Sequence, residues 1–378
     1  MKLTRLFNDF FESEKAGGLI LIFGTIVSLI IANTAFHESY HQFWQTSLAS
    51  HSVEYWINDG LMAIFFLMIG LELEREVYSG ELSNLKNALL PILAAVGGML
   101  VPAGIHFMFN GGLPTQAGAG IPMATDIAFA IGVLSLLGNR VPASLKLFLT
   151  ALAVIDDLGA IFTIAIFYSQ GLDWQNLLFS LAIFVGLLVM NRLKIRNVFL
   201  YIIPGVFMWY FMSLSGVHPT ISGVLLAFAI PFGNGGEKST SYVLQHALHK
   251  PVAFVILPLF ALANTAIHFG ENAMQGLMNP NGYGIFFGLV LGKFVGISLF
   301  TWLAVKLSIC KLPEEVNFKQ IVSVSFLGGI GFTMSIFITL LAFSDEAVIN
   351  SSKLVILFSS LVAALLGLLL LKYTLKGS

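Results

Sequence analysis

The sequence predicts an all-α, polytopic membrane protein with twelve transmembrane helices, inverted repeats over spans 3–5 and 10–12, and interruptions in spans 4 and 11. Three observations carry that expectation: an apolar composition, a run of hydrophobic segments of spanning length, and an alternation of lysine and arginine between successive loops. Of 378 residues, 57% are hydrophobic and only 10% charged, with a mean hydropathy of +0.88. A soluble domain carries about 25% charged residues, so a water-soluble class is excluded. The net charge of −1 offers no basic surface for nucleic acid. The single cysteine, Cys310, excludes an internal disulfide. The first residues, "MKLTRLFNDFFESEK", mix acids with bases and lack a signal-peptide pattern. Their aromatic residues at 7, 10 and 11 predict a short amphipathic helix on the membrane surface.

A spanning helix needs roughly 20 mostly apolar residues. Twelve such segments centre near residues 25, 66, 98, 127, 156, 183, 206, 225, 260, 295, 332 and 362, with only "SLSGVHP" between the pair at 206 and 225. The loops are short, so residues 1–378 read as a single integral membrane domain. If the N-terminus is cytoplasmic, Lys2, Arg5 and Lys15 lie inside, followed by Arg75 and Lys86, and then Arg140 and Lys146. Arg192, Lys194 and Arg196 continue the pattern, as do Lys238 and Lys250, then Lys306, Lys311 and Lys319, and finally Lys372 and Lys376. The alternate loops near 34–55, 110–118, 169–175 and 270–283 contain no lysine or arginine. Lys353 is the one exception, and Lys293 falls mid-span. The bias predicts both termini on the cytoplasmic side of the bilayer.

Span 4 reads "AGAGIPMATDIAFAIGVLSLLG", with Gly118, Gly120 and Pro122 just before Thr125 and Asp126. Span 11 reads "VSFLGGIGFTMSIFITLLAF", with Gly328, Gly329 and Gly331 just before Thr333 and Ser335. Glycine and proline weaken helices, and free backbone groups at membrane depth survive only beside a cavity or other protein. Small residues can instead serve close helix packing. Placement favours interruption, because each segment is the middle of a three-span set. Span 3 runs outward and span 10 inward, so the two sets are inverted. Interrupted segments at matching places in inverted repeats point to a transporter's substrate site.

Asp126, Asp156, Asp157 and Lys293 lie well inside spans. A charge at the bilayer centre costs about 2.5–3.5 kcal/mol on insertion scales, so each marks a site. Neighbours on a helix point about 100° apart, so Asp156 and Asp157 cannot share one direction. Closely coupled acids titrate as a pair and exchange protons as a unit. Their hard oxygens, when ionised, can ligate a small cation with help from a hydroxyl such as Thr125 or from backbone carbonyls. The alternative is a structural ion pair with Lys293, and both can hold, one aspartate pairing and the other binding. Asp126 and Lys293 also suit the partial positive and negative helix ends that a break brings into the membrane interior.

These residues resemble the bacterial Na+/H+ antiporter A family. The likeness runs through "WINDGLMAIFFLMIGLELERE" (56–76), "ATDIAFAIGVLSLLGNRVP" (124–142), "LKLFLTALAVIDDLGAI" (145–161) and "SGVHPTISGV" (215–224). It continues through "ILPLFALANT" (256–265), "LGKFVGISLF" (291–300) and "GIGFTMSIFI" (329–338), and covers nearly the whole chain. The resemblance implies electrogenic, pH-regulated export of cytoplasmic Na+ or Li+ in exchange for external protons, by alternating access. The implied setting is the bacterial inner membrane, with no cofactor and no enzymatic reaction. Asp157 would be the main cation ligand and proton carrier, Asp156 its coupled partner and the one to pair with Lys293, and Thr125 the hydroxyl beside the site. Asp126 and Lys293 match the dipole-compensating charges, and Asp59 the acidic residue at the outer start of span 2. Glu72, Arg75, Glu76, His246 and His249 match a pH-responsive cluster, although ordinary surface charges at a solvated helix end would look the same in sequence.

The sequence departs from the family at several points. Gln245 stands where better-known members have an acid, Glu74 where they often have a base, and "GKF" replaces the commoner "GKP" at 292–294. The loop "WQTSLASHSVEY" is shorter than in members that dimerise through a β-hairpin there, which weakens the implied homodimer. His218 matches a family position near the outer surface and reads as a packing or modulatory residue. His37, His41, His51, His106 and His268 show no metal-ligand spacing and read as interfacial. Two rival classes are disfavoured. Intramembrane aspartyl proteases need acids facing each other across a scissile bond, which adjacent residues on one helix cannot provide. A channel favours rings of carbonyls or side chains from several subunits.

Overall fold

The computed structural model describes residues 5–169, 171–269 and 277–375, except for the side chains of residues 5–14, Glu81, Leu85, Lys86 and Asn139. Lys2, Arg5, Lys86 and Lys376, used above to orient the spans, therefore lie outside the described residues or side chains, as do the aromatic side chains at 7, 10 and 11. The chain is mostly helical. Eight helices are long and apolar enough to cross a membrane, or ten if each of two bent pairs counts as one span. The 206 and 225 segments form shorter helices, Phe199–Leu214 and Ile221–Ala229. The segment expected to lie on the membrane surface instead runs into the first span as one helix, Arg5–Ala32.

Two compact units divide the chain. One comprises residues 1–41, 84–160 and 261–378, and the other residues 42–83 and 161–260. The first unit contains both bent pairs. Pro114–Met123, wound as a tight 3-10 helix, meets Ile127–Ser135 at 43°, and Phe318–Leu327 meets Phe332–Ala342 at 50°. Ala124 and Asp126 are extended at the first break, downstream of the glycines and Pro122. Around these pairs pack Arg5–Ala32, Leu85–Asn110, Pro280–Lys306 and Glu346–Thr374. Leu85–Asn110 and Pro280–Lys306 touch backbone to backbone. A Cβ on Gly296 would lie 2.1 Å from the Gly97 carbonyl oxygen, and one on Gly97 would lie 2.3 Å from that of Gly296. Small residues permit such an approach, and dispersion and packing drive helix association in lipid.

In the second unit, Leu67 and Leu71 join Leu187, Tyr201, Met208, Leu226 and Ala227 in one buried cluster. Gly70 and Gly223 bring the Met62–Ser79 and Ile221–Ala229 helices together, since a Cβ on Gly223 would meet the Ala63 carbonyl oxygen at 2.2 Å. A two-stranded antiparallel hairpin, Ser47–Leu48 with His51–Ser52, forms within the short 44–55 loop. Lys353 is explained as well: it lies inside the Glu346–Thr374 helix, buried, with Nζ 3.3 Å from Asn264 Oδ1. It is therefore not a loop charge.

Candidate functional site

The two breaks are tied to each other by one carboxylate. Asp126 caps the Ile127–Ser135 helix, its Oδ1 accepting the Phe129 N–H at 2.9 Å. Its Oδ2 accepts the Thr333 N–H at 3.0 Å and the Thr333 hydroxyl, at the start of Phe332–Ala342. A single negative charge thus serves the positive ends of two helices. The backbone N–H of Asp126 donates to the Ile330 carbonyl at 2.7 Å, which joins the two broken strands of chain directly. The Ser335 hydroxyl donates to the Ile121 carbonyl at 2.7 Å on the other side of the break.

Beside this junction lies a buried charge pair. Lys293 Nζ is 2.5 Å from Asp156 Oδ2, and both side chains are 0% exposed. Lys293 also donates to the Thr125 hydroxyl oxygen at 3.0 Å. Thr125 Oγ1 is 2.7 Å from both Asp156 Oδ2 and the Gly328 carbonyl, so its one hydrogen can serve either. Gly328 closes the Phe318–Leu327 helix, so the hydroxyl links the pair to a negative helix end. Asp156 Oδ1 is buried with no hydrogen-bond partner among the described residues. Asp157 is equally buried, and its charge, like that of Asp156, acts on Lys293.

Thr125, Asp126, Asp156, Asp157 and Lys293 are therefore all brought into the first unit, at or beside the two breaks. The arrangement places a carboxylate and a hydroxyl oxygen against a fully buried lysine, where charges interact strongly. Among the described residues, no group of three or more histidine, cysteine, aspartate or glutamate side chains is set to hold a metal ion.

The residues matched to the pH-responsive cluster lie in the second unit. Arg75 Nη1 donates to Gln245 Oε1 at 3.4 Å, and the guanidinium stands 5.1 Å from the centre of the Tyr242 ring. Tyr242 in turn stacks with His246 at 6.3 Å. Glu72 and Glu74 are buried, with Glu74 accepting a 3.4 Å hydrogen bond from Ser241. His246 is exposed, while Glu76 and His249 are half-buried. The helix end is thus less solvated than its charge density suggests. At the other end of the Val53–Ser79 helix, Asp59 lies 3.5 Å from His218 Nε2, and its carbonyl accepts from Trp209 Nε1 at 3.2 Å. Burial pushes the His218 imidazole down to about 4.

Two features escaped the sequence reading. A π-helical turn, Gly288–Gly292, ends at Lys293, whose backbone N–H reaches back to the Gly288 carbonyl. Similar turns occur at Trp56–Leu61, which carries Asp59, and at Val252–Ile256. Such turns re-aim the side chains that follow them and gather at functional sites. The glycines at 288 and 292 were the available signal. His106, expected at the interface, is instead fully buried and bonds Asn281 Oδ1 at 3.1 Å. Asn281 continues to Ser352 at 2.8 Å, and Asn110 bonds the His106 and Pro280 carbonyls.

Apolar helices of spanning length, packed about two bent helix pairs and a buried Lys–Asp–Thr cluster, are those of a polytopic membrane protein. The chain belongs to the Na+/H+ antiporter 1 family, whose description matches residues 8–371. It is 65% identical over 378 residues to the Na(+)/H(+) antiporter NhaA of Flavobacterium psychrophilum, covering 100% of this chain and 98% of that protein. It is 61% identical over 376 residues to the Na(+)/H(+) antiporter NhaA of Cytophaga hutchinsonii, covering 100% and 97%. A third relative, the Na(+)/H(+) antiporter NhaA 1 of Flavobacterium johnsoniae, is 60% identical over 375 residues, covering 99% and 98%.

Proposed function

We propose that this protein is a secondary active, electrogenic, pH-regulated antiporter that exports cytoplasmic Na+ or Li+ in exchange for external protons. The observation that carries the reading is the Lys293–Asp156–Thr125 contact beside Asp157, buried at the junction of two broken helices. Asp157 is the cation and proton carrier. Asp156 is held by Lys293 and Thr125 and couples the charge state of the lysine to that of Asp157. Asp126 and Lys293 compensate the exposed helix ends, which allows the breaks to persist in a low-dielectric setting.

Competition for the same oxygens gives exchange. At low internal pH protons occupy the carboxylates and exclude Na+; at higher pH Na+ displaces them. The bundle then opens to the other side, where a low external pH reprotonates the site and expels the ion. Exporting one Na+ for more than one proton moves net charge inward. Glu72, Arg75, Glu76, His246 and His249 adjust activity to pH, with Gln245 and Glu74 shifting its range. Counting the bent pairs as spans, together with Phe199–Leu214 and Ile221–Ala229, gives twelve, arranged as inverted repeats in a single transporter domain. Both termini face the cytoplasm of a bacterium, and the inner-membrane lipid is the solvent. The hairpin at Ser47–Ser52 is the natural seat for a homodimer contact.

Reconstitution into proteoliposomes with a preset pH gradient tests the reading. Added Na+ or Li+ collapses the gradient at a saturable, pH-dependent rate if exchange occurs. Conductance without proton coupling indicates a channel and overturns the proposal, as does the absence of Na+-dependent proton flux.

A further inference from the structure

Hydroxyl side chains inside this protein's helices are satisfied by a common device. Thr25 donates to the Leu21 carbonyl at 2.8 Å, Thr265 to Ala261 at 2.7 Å and Thr339 to Ser335 at 2.8 Å. Ser325 and Ser359 likewise reach the carbonyls of Ile321 and Val355, each four residues back. Two hydroxyls do not, Thr301 Oγ1 and Thr150 Oγ1: each is buried with no hydrogen-bond partner among the described residues, and Thr150, 6% exposed, is the one that shares a helix with the aspartates. A buried donor left unmade costs roughly 1–3 kcal/mol, and the ordinary remedy, the Lys146 carbonyl four residues back, is not used.

Thr150 occupies the same helix as the two aspartates, Ala143–Phe167. Seven residues separate it from Asp157, two turns of helix, so the two side chains leave the axis within about 20° of each other and about 10 Å apart along it. Asp156, turned by a further 100°, does not share that face. Ala153 and Val154, both buried, flank the line between Thr150 and Asp157 on this face, and the opening runs along the smaller Ala153 side. The residues around Thr150 on the helix, Phe148, Leu149, Ala151, Leu152 and Val154, are buried and apolar. On the orientation read from the lysines and arginines, Thr150 stands on the cytoplasmic side of Asp157.

We propose that the Thr150 hydroxyl is a staging ligand for the small monovalent cation on its way from the cytoplasm to Asp157. This rests on the assignment of Asp157 as the carrier. A neutral hydroxyl oxygen replaces one water of a partly dehydrated Na+ or Li+ without trapping it as a carboxylate would, and entry requires binding weak enough to let the ion move on. The uncommitted oxygen is then an adaptation to a passing ligand and not a packing defect.

The experiment compares wild type, Thr150→Val, Thr150→Ser and Thr150→Ala in proteoliposomes, with Na+ as the probe and Asp157→Asn as the reference for lost exchange. Valine keeps the shape and removes the oxygen. The expected result is a rise of about 3- to 10-fold in the KM for Na+ in the valine variant, with the maximal rate within twofold of wild type. Serine retains the wild-type KM. A purely structural hydroxyl moves only the thermal midpoint, which rises in valine because an unsatisfied group is gone, and leaves KM alone. A KM within twofold of wild type in the valine variant, or an equal rise in serine, overturns the proposal. If valine fails to insert, alanine carries the same expected KM rise and the same refutation. A wild-type protein without exchange overturns the assignment of the site itself, whereas a normal wild type with an unchanged valine variant overturns only the role of Thr150.

Discussion

Substituting Lys293 with methionine removes the ammonium that lies 2.5 Å from Asp156 Oδ2 and leaves the carboxylate with the Thr125 hydroxyl at 2.7 Å. The other carboxylate oxygen, Oδ1, has no hydrogen-bond partner among the described residues to fall back on. Both side chains are 0% exposed, so solvent screening does not soften the loss. Breaking a buried pair from one side costs about 3–5 kcal/mol, chiefly from the stranded charge. Asp156→Leu strands the lysine instead and costs several kcal/mol by the same argument. The double variant, Lys293→Met with Asp156→Leu, strands neither member of the contact, leaves only Asp157 without the lysine's charge, and lies within about 1–2 kcal/mol of wild type. The coupling between the two positions is therefore at least about 3 kcal/mol. Equilibrium unfolding in mixed detergent micelles, read for the wild type, both single variants and the double, measures it. A coupling below about 1 kcal/mol, the value of an exposed pair, would refute the buried-pair reasoning.

Three further outcomes follow from the packing and the caps. Asp126→Asn leaves one acceptor atom for donors on two helices, so it lowers stability by roughly 1–3 kcal/mol and slows exchange; an unchanged thermal midpoint counts against the double cap. Gly296→Ala drives a methyl to 2.1 Å from the Gly97 carbonyl and prevents accumulation of folded protein, whereas Gly104→Ala meets nothing within 4 Å and is tolerated; membrane yields and size-exclusion profiles separate the two. His218 is held at about 4 when folded, against 6.5 ordinarily, so the unfolded chain binds more protons between those values and stability falls as pH drops through that window. The loss amounts to about 3 kcal/mol, and His218→Gln shows a smaller fall in thermal midpoint between pH 7 and pH 4.5 than wild type does.

Much of the site was legible because intramembrane charge is expensive. Asp126, Asp156, Asp157 and Lys293 announce themselves in an apolar chain, and the glycine and proline clusters before Thr125 and Thr333 mark the breaks. The partnerships were not legible. Adjacent aspartates must point apart on a helix, but no local signal says which of them meets Lys293; only the family resemblance offered Asp156, because the choice depends on the packing of the Pro280–Lys306 helix against its neighbours. Asp126 was expected to offset a helix dipole, and its service to two helices at once depends on how the broken segments cross. The π-helical turn before Lys293 has no propensity signature beyond two glycines. His106 looked like an interfacial residue because polarity in sequence does not reveal a buried hydrogen-bond partner, here Asn281.

The central claim is that protons and Na+ compete for Asp157. Calorimetric titration of the purified protein with Na+, repeated in buffers of different ionisation enthalpy and across pH, measures both binding and the protons released. Wild type binds Na+ with proton release and weakens as pH falls, and Asp157→Asn, correctly folded, binds no Na+. Sodium binding that persists in Asp157→Asn, or that releases no protons in wild type, contradicts the account.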